Sequence, residues 1–269
     1  MTAHRPGKNW SICTHLPDCR MPVADSTLRR GLVLLAHLGG ADGGRTVSEL
    51  AALTGFERSQ VSRTMGTLTD LGAVVRDPRT RAYRLSWSIY ALAATAGDPA
   101  LLAAARPVID RLAAVTGSPA HLTVLDGAEV ITVASGFPPF FTERRNPIGE
   151  RTPAWCTSSG RTLLAGLDDD TLRKRLTGVA LEATGPHAPT TLDDVIERTA
   201  ATRGIGPVVV VDEYAPGFMG VAAPVHRPDG TVVASLNISG PTWRLAGAVD
   251  TLRAAVDGAA GELDAALAA

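Results

Sequence analysis

Residues 46 to 72, TVSELAALTGFERSQVSRTMGTLTDLG, set two short helical periodicities side by side with a Thr-Gly break between them. Thr46 followed three residues later by Glu49 is the spacing at which each side chain caps the other's free backbone amide, and Val47, Leu50 and Leu53 give that first helix an apolar face. In the second helix Val61, Met65 and Leu68 recur at i, i+4 and i+7, which makes one buried stripe. The opposite arc carries Ser59, Ser62, Arg63 and Thr67, with Gln60 at its shoulder. These are groups that hydrogen-bond to base edges and phosphates.

The flanks complete a unit around this pair. Upstream, STLRRGLVLLAHL places Leu28, Leu32 and Leu35 on one helical face before Gly39-Gly40 ends the pattern. Downstream, AVVRDPRTRAYRL reads as two short strands, Ala73 to Arg76 and Ala82 to Leu85, around an Asp-Pro turn, with Arg76, Arg79 and Arg81 at the tip. Three helices and a basic hairpin make a winged helix-turn-helix over residues 26–86, a fold that needs no metal or cofactor. Residues 87–98 form a linker helix with Trp87, Ile89 and Leu92, closed by Gly97-Asp98-Pro99.

From residue 99 to 269 the pattern changes. A helix from Pro99 to Val115 opens this part, and HLTVLDGAEVITVAS then alternates around Asp126-Gly127 as a hairpin. GVAAPVHRPDGTVVASLNIS does the same around Asp229-Gly230, with short helices between the two hairpins and an Ala-rich amphipathic helix at the end. Strand pairs interleaved with helices predict an α+β domain built on an antiparallel sheet.

Charge divides along the same line. Residues 26 to 90 hold nine arginines against five acids, whereas the chain from residue 91 holds 14 basic residues against 20 acidic ones. A basic module joined to an acidic one fits DNA binding coupled to a second task. Cys13, Cys19 and Cys156 are an odd number without framework spacing, so a reducing cytoplasm and no structural disulfide are expected. The first 25 residues are Pro-rich and polar and predict a disordered extension; Cys13, His15 and Cys19 lack a nearby fourth ligand for zinc.

The chain resembles the IclR-type transcriptional regulators over about residues 26 to 265. The resemblance is carried by TVSELAALTGFERSQVSRTMGTLTDLGAVVRD, by PIGERTPAWCTSSGRTLLA, and by GIGPVVVVDEYAPGFMGVAAPVHRPDGTVVASLNISGP, in this order. It implies a homodimer, able to pair into a tetramer, in which the winged helix reads operator DNA and a GAF-like α/β domain binds a small effector. A repressor and an activator would use the same residues and differ in where the operator lies. Neither a cofactor nor a metal is expected.

The resemblance also assigns positions. Arg58, Ser59, Gln60, Ser62 and Arg63 would contact DNA from the second helix, Arg63 and Gln60 being suited to guanine and adenine. Thr46, Arg79 and Arg81 would hold phosphates. Ser158, Ser159, Val210, Phe218, Gly220, Asn237 and Ser239 would line the effector pocket, the Ser-Ser-Gly-Arg turn supplying amides to a carboxylate. Val210 stands where small-acid sensors commonly have an acidic residue and Gly220 where a cysteine can stand, so a larger, drier pocket and a bulkier or more apolar effector are expected. Two other classes compete: a ligand-independent DNA binder, and an enzyme with Cys156 as nucleophile and His121, His187 or His226 as its base.

Overall fold

The computed structural model describes residues 26–41, 43–139, 141 and 147–269. The N-terminal extension with Cys13, His15 and Cys19 lies outside the described residues. The chain separates into two compact units, the first ending at Pro99 and the second running from Ala100.

The first unit contains α1 (Thr27–Leu38), α2 (Val47–Thr54), α3 (Arg58–Asp70), the strands β1 (Val74–Arg76) and β2 (Tyr83–Leu85), and α4 (Trp87–Ala94). Thr46 and Glu49 form the reciprocal cap at the start of α2, and Gly55 ends that helix in the left-handed conformation at φ 73°. Leu34, Leu38, Leu50, Val61, Met65, Val74 and Tyr83 close one core. β1 and β2 pair antiparallel, and Arg45 adds a bridge to Tyr83. In α1 the buried side is Gly31, Leu34 and Leu38 with Val33 and His37, while Leu28 and Leu32 face outward.

The second unit opens with α5 (Pro99–Thr116), followed by β3 (Ala120–Asp126), β4 (Glu129–Gly136) and β5 (Arg151–Pro153). Then come α6 (Ser158–Ala165), α7 (Asp169–Leu176), α8 (Leu192–Ala200), β6 (Val208–Val211), β7 (Phe218–His226), β8 (Val232–Pro241), α9 (Thr242–Leu245) and α10 (Val249–Ala268). The strands form a six-stranded antiparallel sheet in the order β5-β4-β3-β8-β7-β6. Strand alternation sorts its two faces. Leu122, Val221, Leu236 and Ile238 join the residues of α5 and α10 in one core. His121, Thr123, Gly220, Asn237 and Ser239, one residue out of phase, belong to the other face, where α6 packs on β7 and β8. That face therefore carries polar side chains under a helix.

Candidate functional site

In the first unit, the N-terminal half of α3 and the wing enclose a groove of about 560 Å³. Thr46, Arg58, Ser59, Ser62 and Arg81 line it, together with Ser48, Arg76 and Thr80. Gln60, Arg63 and Arg79 stand outside those walls, Gln60 half-buried and both arginines exposed. Arg58 donates to the Ser48 hydroxyl at 2.8 Å, which ties α3 to α2. The Thr46 hydroxyl is taken up by the cap, donating to Glu49 Oε2 at 2.8 Å while accepting the Glu49 amide. The wing turn is held by the Asp77 carboxylate, which accepts the amides of Arg79 and Thr80. Those bonds, the one from Thr80 foremost, keep the Asp77 carboxyl below its ordinary range. Arg81 sits at φ 60°, a backbone region that non-glycine residues enter at a cost, and Arg76 lies 5.2 Å over the Tyr83 ring.

In the second unit, a chamber of about 240 Å³ lies between the polar face of the sheet and α6. Ser158, Ser159, Val210, Phe218, Gly220, Asn237 and Ser239 all line it. So do residues that no local motif singles out, among them His121, Thr123, Thr132, Glu150, Thr152 and Tyr214. Thr157 caps α6 by accepting the Gly160 amide at 3.2 Å. The amides of Ser158 and Ser159 belong to the same first turn, which has no acceptor within the helix and so presents donors and the positive end of the dipole. Asn237 is 5% exposed and its Oδ1 finds no hydrogen-bond partner among the described residues. A bound molecule that offers a donor would satisfy it.

Two glycines set how closely α6 approaches. A Cβ at Gly160 would collide with the Ala154 backbone, so the helix start can lie against the segment that leads into it. A Cβ at Gly220 would stand 2.5 Å from the Ser158 hydroxyl. The space that Gly220 vacates is thus filled by Ser158, which corrects the expectation that this glycine enlarges the pocket. Val210, Phe218 and Tyr214 contribute to a lining that is more apolar than polar, with the hydroxyls of Thr123, Thr132, Thr152 and Ser239 set among them.

Behind the chamber, Arg161 of α6 pairs with Glu213, both buried, and Arg198 of α8 reaches the other Glu213 oxygen at 3.2 Å and Asp194 at 2.6 Å. Asp212, beside this pair, holds φ 59° and accepts the Gly217 amide at 2.6 Å, which shapes the loop that presents Tyr214. Cys156 is fully buried and its thiol meets Thr184 Oγ1 at 3.2 Å. Burial pushes that thiol up to about 11. His121 bonds Ser135 and His226 bonds Asp264, so neither imidazole is committed to the sulfur. A protonated thiol with a threonine beside it is poorly suited to nucleophilic attack. Among the described residues no group of three His, Cys, Asp or Glu could hold a metal ion.

The comparisons follow this division of the chain. Residues 27–78 match the IclR helix-turn-helix domain, and residues 94–265 match the family described as bacterial transcriptional regulator IclR C-terminal. The chain belongs to the IclR family. IclR proteins are transcriptional regulators that pair a helix-turn-helix DNA-binding domain with a C-terminal ligand-binding domain, and this chain has both. The Pca regulon regulatory protein of Pseudomonas putida is 31% identical over 239 residues, covering 87% of this chain and 79% of that protein. An IclR transcriptional regulator from Alicyclobacillus acidocaldarius superposes with a TM-score of 0.73 at 27% identity, covering 90% of this chain and 98% of its own. The inducer-binding domain of the PobR transcription factor from Acinetobacter, solved as a double mutant with 3-hydroxybenzoic acid, gives a TM-score of 0.57 at 27% identity. It covers 61% of this chain and 97% of its own. These IclR relatives are regulators rather than enzymes.

Proposed function

We propose that this IclR-family chain works in the cytoplasm as a homodimer, reads an operator with α3, and releases or tightens it when a small hydroxylated aromatic acid occupies the C-terminal chamber. Arg58, Ser59, Gln60, Ser62 and Arg63 enter the major groove, with Arg63 and Gln60 as base readers. Arg79 and Arg81 on the wing hold phosphates and set register. Ser158 and Ser159 present first-turn amides to the effector's carboxylate, Phe218 and Tyr214 pack on its ring, and Asn237 accepts from its hydroxyl.

The unpartnered Asn237 Oδ1, buried in a chamber with helix amides, carries the effector half of this proposal. A carboxylate alone would leave that acceptor unpaired, whereas a hydroxy acid satisfies both. The chamber's 240 Å³ is below the roughly 300–1,000 Å³ of sites for drug-sized ligands, which suits a single ring. The PobR domain complex with 3-hydroxybenzoic acid is a related domain holding a molecule of this class. The alternative of a ligand-independent DNA binder leaves such a chamber without a use.

Fluorescence polarisation of the chain against its own upstream intergenic DNA, at two salt concentrations and beside a scrambled duplex, tests both halves. Specific binding that weakens with salt and falls roughly tenfold or more in Arg63→Ala is expected, because one good base contact is worth about 1–3 kcal/mol. Added 3-hydroxybenzoate is expected to change operator affinity more than benzoate does. Equal binding of both duplexes by wild type and Arg63→Ala would sink the DNA assignment, and a tight response to glyoxylate or pyruvate would sink the aromatic one.

A further inference from the structure

Beside the effector chamber lies a second cavity, of about 360 Å³. The two share His121, Pro147, Glu150, Phe218 and Ser239 as walls. The remaining walls of the second cavity are Pro119, Gly240 and Pro241 with two phenylalanines and one arginine. Phe137 and Phe141 stack at 5.5 Å with their planes 22° apart, and His121 meets Phe137 edge-on at 6.4 Å. Arg244, on α9, adds its guanidinium. Gly240 makes room for it, since a Cβ there would stand 2.8 Å from an Arg244 terminal nitrogen.

Arg244 differs from nine other described arginines of this unit. Arg106, Arg111, Arg151, Arg161, Arg173, Arg198 and Arg203 each pair with a carboxylate, and Arg175 and Arg253 donate to backbone carbonyls. Arg244 has no such partner among the described residues. Arg244 is exposed where it borders the cavity, and a planar, permanently charged fork without a protein partner is suited to bidentate capture of a carboxylate that enters there.

We propose that the effector site is double: Arg244 holds a second anionic group, and the ligand that fills both cavities is a hydroxylated aromatic acid that carries a second carboxylate on an apolar arm, its hydroxyl donating to Asn237. This rests on the reading of the first chamber as the seat of a carboxylate at the start of α6. One acid group then meets the amides of Ser158 and Ser159, and the other meets Arg244. The stretch between them runs past Phe218 and the stacked Phe137 and Phe141. An acid too short to reach Arg244 engages the first chamber alone and gains nothing from its second charge.

Isothermal titration of the full chain with 3-hydroxybenzoates bearing a straight carboxyalkyl arm of increasing length, and with the monocarboxylates whose alkyl arm matches in length, reads this out. At one length the dicarboxylate is expected to bind roughly tenfold tighter than its monocarboxylate partner, as a charge-assisted contact supplies. Arg244→Gln is expected to abolish that preference and leave monocarboxylate affinity unchanged, and Arg244→Lys to restore it in part. Dicarboxylates binding no better than monocarboxylates at any length would overturn the double site while leaving the first chamber intact. An Arg244→Gln loss equal for both series would overturn it too, by assigning the arginine a merely structural part. Failure of every acid to bind wild type would remove the first chamber's reading and this one together.

Discussion

His121 illustrates what a single residue contributes here. It faces the chamber from β3, bonds Ser135 at 2.9 Å, and is held by burial at about pH 4 instead of the ordinary 6.5. Between those two values the unfolded chain takes up a proton that the folded chain refuses, so stability falls as pH is lowered through this window. The loss is at most about 3 kcal/mol, at roughly 1.4 kcal/mol per pH unit. Urea melts at pH 7, 6 and 5 check this, with a shallower decline expected in His121→Gln than in wild type. Identical declines would mean that other groups carry the acid sensitivity. Nothing local marked this histidine in the sequence as a chamber residue, because its position depends on β3 lying beside β8, a pairing over more than a hundred residues. Ser158 and Ser159, the first residues of α6 behind the Thr157 cap, are assigned to the chamber by the family resemblance and not by a local pattern.

At the scale of elements, periodicity located the helices and both hairpins but not every face. In α1 the regular Leu28, Leu32 and Leu35 spacing is matched by Gly31, Leu34 and Leu38, and packing against α3 selects the second set. β6 is four valines in a row and β5 only three residues, so neither has an alternation to read. The leucines left outside acquire a use. Leu28 is 74% exposed, and α4, which buries none of its own residues, holds Trp87 at 84% and Leu92 at 69%. Apolar side chains on two helices of one unit fit the proposed contact with a second copy. Trp87→Glu is therefore expected to sediment as a monomer with unchanged helix content, and to lose operator affinity without losing effector binding. A dimer persisting in that variant at low micromolar concentration would place the contact elsewhere.

For the molecule as a whole, the two units present opposite chemistries: an arginine-rich groove on the first, and on the second a chamber enclosed within an acidic domain. Charge counting made the division legible from sequence, since it needs no contacts, whereas the groove and the chamber each require strands and helices to meet. Regulation requires that occupation of one bias the other, and any such coupling is reciprocal. If the effector weakens operator binding by some factor, saturating operator weakens effector binding by the same factor, typically about 5- to 150-fold. Titrating 3-hydroxybenzoate into the protein alone and into the protein saturated with operator measures one direction, and polarisation with and without effector measures the other. Equal factors are expected. Arg63→Ala, saturated with neither duplex under the same conditions, should keep the effector affinity of the free protein whether or not DNA is added. Effector binding that ignores operator in wild type would leave the two sites energetically independent, and the chamber would then serve something other than control of DNA binding.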